Sequence, residues 1–142
     1  MPTSRKLRAW RDWLWDCFRV VLVAPELPEH FDGTGIFLGS EDCRGIILLR
    51  RGTEHAIWTL VHELGHILTE RCYDVDAAQD GLQWQTTGDE QAADEFACCF
   101  IIDEYELLEF MGEGRTVRQF AQYLKVPVSA VLLRSRLMGL MV

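Results

Sequence analysis

An α+β fold, a small β-sheet packed against several helices, is the architecture that this 142-residue sequence predicts. Three observations lead there. Apolar residues recur at helical spacing in several stretches, and two short apolar runs between them are bounded by glycines and charges. The composition, 49% hydrophobic and 25% charged, is that of a globular chain, and this length can bury a core without disulfides. The simplest organisation is a single domain over residues 1–142.

Leu7, Trp10, Leu14, Phe18 and Val21 share one helical face, which predicts an amphipathic helix over residues 5 to 21 with its tryptophans in the core. The turn-rich "APELPEHFDGTG" ends it. "GIFLG" (35–39) and "GIILLR" (45–50) read as two strands. A helix over 54 to 71 follows, then the polar loop "YDVDAAQDGLQWQTTG", whose aspartates lack the spacing of a calcium loop. Helix resumes over 89 to 102 and continues to the C-terminus with breaks near Gly112–Gly114 and Pro127. Residues 115–142 form a C-terminal helix-turn-helix-like pair packed on the rest.

Charge is distributed unevenly. Residues 1–19 hold five basic and two acidic groups, residues 20–114 hold four and twenty, and residues 115–142 hold five and none. The middle segment, at −16, is suited to attract a basic partner, although an acidic surface also serves solubility alone. The five cysteines, at 17, 43, 72, 98 and 99, form no CxxC pair and read as reduced thiols. Arg19 interrupts the apolar run "CFRVVLVA", and no stretch approaches the ~20 apolar residues of a membrane span. The expectation is a cytoplasmic protein without a membrane segment.

Chemistry concentrates in "HAIWTLVHELGHILTER", residues 55 to 71. At about 100° per residue Ile57, Leu60, Val61, Leu64, Ile67 and Leu68 fill one arc, with His62 and His66 together on the far side. One helical turn apart, both imidazoles can point at one ion, while Glu63 can reach a water on that ion without binding the metal. A chain of this length shows HExxH by chance only roughly a few times in a thousand. Gly65 costs the helix ~1 kcal/mol relative to Ala, which points to a close neighbour there.

A third ligand is sought in "TGDEQAADEFACCF", residues 87–100. On a helix Glu90, Ala93, Asp94 and Ala97 share a face whose alanines permit close approach to the histidine helix. Glu90 is the favoured ligand, and Asp94 is placed to take the free N–H of a ligand histidine and fix its tautomer. Asp89 and Glu95 are rivals, and Thr87 with Glu90 also spells a capping box that would make Glu90 structural.

"HAIWTLVHELGHIL" followed by "EQAADEFA" resembles the ImmA/IrrE family of zinc metallopeptidases, whose second signature reads approximately E-x-x-A-N-x-F-A. The resemblance covers residues 45 to 102 and, more loosely, the C-terminal part. It implies a minimal gluzincin-like fold, with His62, His66 and Glu90 matching the Zn²⁺ ligands and Glu63 the catalytic glutamate. It further implies an endopeptidase, typically bacterial or phage-borne, that inactivates a helix-turn-helix repressor. Asp94 stands where the family usually has asparagine, and "FIID" (100–103) replaces its L-M-P run.

The tail "TVRQFAQYLKVPVSAVLLRSRLMGL" also looks like a DNA-binding helix-turn-helix. The acidic middle opposes approach to phosphates, so a helical pair closing the core is the expectation rather than direct nucleic-acid binding. The expected function is therefore a zinc-dependent endopeptidase acting on a basic repressor protein. The competing class is a regulator that binds and displaces a repressor, or a DNA-binding module. An oxyanion donor is required as well, with His55, Tyr73 and Tyr123 as candidates.

Overall fold

The computed structural model describes residues 1–69 and 87–140, with the side chains of 87–89 outside the description. Among these residues are six helices and one three-stranded sheet, an α+β arrangement. They are α1 (Leu7–Phe18), β1 (Val20–Val23), β2 (Gly33–Phe37), β3 (Gly45–Leu49), α2 (Ala56–Leu68), α3 (Thr87–Ile101), α4 (Glu104–Gly112), α5 (Val117–Leu124) and α6 (Val128–Leu137).

The first helix ends earlier than its periodicity predicts. Arg19 adopts φ 55° and ψ 40°, a left-handed cap whose N–H bonds back to the carbonyls of Leu14 and Trp15. The following "VVLV" is β1, a third strand whose first two residues fall inside the helix that the periodicity predicts. Three of its four residues are β-branched, which favours extended backbone, and parallel pairing with β3 supplies its hydrogen bonds. Of the helix tryptophans, Trp10 is buried, whereas Trp15 is partly exposed beneath the Arg19 guanidinium, 4.9 Å from its ring centre.

β3 is the central strand, parallel to β1 (Val20 opposite Gly45) and antiparallel to β2 (Gly35 opposite Ile47). The segment before β2 is tied to the end of β3: Arg50 and Thr53 both donate to the carboxylate of Asp32, at 3.1 and 2.9 Å. These bonds, with the guanidinium charge, hold the Asp32 carboxyl below its ordinary pKa.

Two apolar clusters share α3. The first joins Leu14 of α1, Val20, Ile47 and Leu49 of the sheet, and Leu60, Leu64 and Ile67 of α2 to Ala97. The second joins Cys98 and Ile102 to Leu107, Phe110, Phe120, Val126 and Val131. The C-terminal pair α5 and α6 therefore packs on the outer side of α3. A full capping box at Thr116 and Gln119 starts α5, and Lys125, at φ 58°, ends it ahead of Pro127.

Candidate metal centre

Among the described residues, α2 places two strongly polar groups inside the protein. Leu60, Val61, Leu64 and Ile67 fill the core side, yet Glu63 and His66 are also buried, at 8% and 1% exposure. They are covered because two elements close over that side of the helix. β2 passes at Gly35, where an added Cβ would lie 3.2 Å from Oε2 of Glu63. α3 passes at Gly65, where an added Cβ would lie 3.0 Å from the Phe96 ring and 3.5 Å from Cα of Ala93. Gly65 is thus the close approach that its helix cost suggested, and the small Ala93 and Ala97 make the other half of the fit.

That approach brings Glu90 over the histidine pair. Nε2 of His62 and Nε2 of His66 are 3.2 Å apart, with ring planes at 79°. Glu90 places Oε2 3.2 Å from the first and Oε1 2.8 Å from the second. On its other side His62 donates Nδ1–H to Oδ1 of Asp94 at 2.8 Å. The Asp94 carboxylate can only accept, so this bond fixes the tautomer and leaves a lone pair on Nε2 of His62.

The donor set tests whether a metal fits. Nε2 of His62, Nε2 of His66 and a carboxylate oxygen of Glu90 all lie within 4.8 Å of one another. Ligands ~2.0–2.1 Å from a tetrahedral ion sit about 3.3 Å apart, close to the 3.2 Å found for the histidine pair and for His62 with Glu90. Two imidazole nitrogens and a carboxylate, one imidazole oriented by a second carboxylate, match what a divalent transition metal takes.

Beside this cluster the Glu63 carboxyl is out of water, with Oε2 lacking a hydrogen-bond partner among the described residues. Burial, reinforced by the Glu90 carboxylate, pushes its pKa up to about 8, against the opposing pull of a hydrogen bond from the Gly35 backbone. A carboxyl poised so near neutrality can take and return a proton.

Other candidates fall elsewhere. Glu95 accepts from the Gln91 amide at 3.1 Å and takes no part in the cluster. The side chains of Thr87 and Asp89, and Tyr73, lie outside the described residues. His55 occupies the N-cap position of α2 without a side-chain capping bond and contacts the Lys125 carbonyl through Nδ1 at 3.2 Å; it sits two turns before His62, roughly 10 Å by helix rise. Tyr123 stacks on Phe110, 5.7 Å between centroids. Neither borders the cleft beside Glu90 and Asp94. The sequence reading had no signal for Gly35, whose lack of a side chain admits the Glu63 carboxyl; its position becomes visible only once β2 lies on α2.

Such a cluster on a small α+β scaffold is compatible with the metallopeptidase class. Within that class, the Peptidase_M78 family, the IrrE N-terminal-like domain, matches residues 21–136, and the chain belongs to this family. Neither the curated proteins nor the solved structures provide a match to it. No helix among the described residues is long and apolar enough to cross a membrane.

Proposed function

We propose that the protein is a zinc-dependent endopeptidase that cuts a specific protein, in which His62, His66 and Glu90 hold the metal and Glu63 is the general base. The observation that carries this reading is the convergence of three donors, one with its tautomer set by Asp94, beside a buried carboxyl. Zinc bound there would polarise the scissile carbonyl and bring the pKa of a bound water to about 7. A cation held by those three ligands would also draw the Glu63 carboxyl towards its ionised form, and so offset the rise in pKa that burial causes. Glu63 then accepts a proton from the attacking water and delivers it to the leaving amine. Asp94 keeps Nε2 of His62 turned to the ion through both stages.

The substrate we propose is a basic helix-turn-helix repressor in the same compartment, taken to be the cytoplasm. The −16 charge of residues 20–114 supports this choice, since it favours encounter with a cationic protein. DNA contact by α6 finds less support. Arg134 is turned inward, its Nε donating to the Ile102 carbonyl at 3.0 Å, so it is unavailable to a phosphate. The test uses the Glu63→Gln protein, loaded with zinc, alongside the parent and a helix-turn-helix repressor from the same genome, with any encoded next to this chain tried first. Only the parent should yield repressor fragments by mass spectrometry. If Glu63→Gln relieves repression as well as the parent does, the protein works by binding and is not acting as a peptidase.

A further inference from the structure

A cleft of about 720 Å³ opens beside the donor cluster, between α3 and α6, with Trp58 of α2 contributing to its lining. Its α3 wall is acidic. Glu90 faces the histidines and Asp94 is bonded to His62, whereas the Glu95 carboxylate accepts from the neutral Gln91 amide and, among the described residues, makes no ion pair. Its α6 wall is mixed: Leu133 and Leu137 supply apolar surface, with Ser129, Ala130 and Arg136 beside them.

The exposed face of α6 is not what a nucleic acid would need. On the side that lines the cleft, Leu133 and the 46%-exposed Leu137 lie one turn apart, and Arg134 is held by the Ile102 carbonyl and by Cys99. One outward cation, Arg136, beside a leucine pair suits a polypeptide rather than a phosphate backbone. The acidic wall opposite adds a charge preference, and the cleft is continuous with the residues assigned to the metal.

We propose that this cleft receives the substrate chain and that α6 is its specificity wall. An apolar substrate side chain seats against Trp58, Leu133 and Leu137, while an adjacent lysine or arginine meets Glu95. Arg136 repels a cation at its own end of the cleft and so sets the register of the basic residue. The assignment rests on the peptidase reading above and adds the class of sequence that is recognised.

The test is binding without hydrolysis. Zinc-loaded, ¹⁵N-labelled Glu63→Gln protein is titrated with a 15-residue peptide carrying two central leucines flanked by lysines, and with its twin carrying glutamates instead. The lysine peptide should shift the Trp58 indole N–H and the α6 amides, and bind at least about fivefold more tightly than its twin. Leu137→Asp should weaken that binding about fivefold or more, and Glu95→Lys should reverse the charge preference, both with unchanged zinc content. Leu137 is exposed and Glu95 half-buried, so unchanged far-UV circular dichroism and unfolding midpoint of each variant are required alongside the zinc content. Equal binding of the twins, absence of shifts at millimolar peptide, shifts confined to other surfaces, or indifference to Leu137→Asp would each overturn the proposal. Selective binding with no cutting by the parent would leave the cleft in place and remove the peptidase reading. Glu63-dependent cutting that ignores both variants would do the reverse.

Discussion

Replacing Glu63 by glutamine should stabilise the metal-free protein, and the gain should grow with pH. The reason lies in the burial of that carboxyl, which moves its pKa from 4.5 to about 8. Below pH 4.5 the group is protonated in both folded and unfolded chains and contributes no pH dependence. Between 4.5 and 8 the unfolded chain ionises freely while the folded chain must hold the proton, so folding stability falls as pH rises. Above the folded pKa the slope disappears. The loss is about 1 kcal/mol at pH 5 and about 3 kcal/mol at pH 7, at 1.36 kcal/mol per pKa unit. Glutamine removes this slope. The amide requires partners of its own, but that cost is independent of pH, so the slope is the diagnostic quantity. The assay is urea unfolding of both proteins in a chelator at pH 5, 6, 7 and 8, followed by far-UV circular dichroism. The stability difference between Glu63→Gln and parent should widen by about 2 kcal/mol from pH 5 to pH 7. Parallel curves across that range would show that Glu63 ionises normally in the folded state and would refute the burial argument. Saturating zinc should shrink the difference, because a nearby cation favours the carboxylate.

The purified protein should hold about one zinc per chain by elemental analysis, and His62→Ala, His66→Ala and Glu90→Ala should each lose most of it, because three protein ligands leave no redundancy. Full zinc retention by Glu90→Ala would return that residue to a capping role. Asp94→Ala should weaken zinc affinity or activity ~10–100-fold by releasing the His62 ring, measured by competition with a chelating dye. Gly65→Leu should cost about 1–3 kcal/mol in urea unfolding and also lower zinc affinity, since its side chain must push Phe96 and α3 away from α2. Deleting residues 115–142 should give a chain that binds a hydrophobic dye and unfolds without a cooperative transition, because Phe120, Val126 and Val131 are buried in the cluster around Cys98 and Ile102.

Local rules in the sequence determined much of this protein. Residues at i and i+4 on any helix face the same way, so His62 and His66 were bound to lie together once α2 was recognised. The same rule put Glu90, Ala93, Asp94 and Ala97 on one face of α3. Helix existence followed from apolar periodicity, and the small sheet from short runs bounded by glycine. Tertiary structure decided what depends on a neighbour. "VVLV" carries no mark separating the end of a helix from a strand, and it became β1 because β3 offered a partner and Arg19 could turn left-handed. Glu90 reached the histidines because Gly65 and Ala93 let two helices close together, and which acid of 87–100 does so depends on that crossing. The elevated pKa of Glu63 likewise comes from β2 crossing α2 at a glycine. Desolvation is a property of what surrounds a group, and no spacing along α2 encodes it.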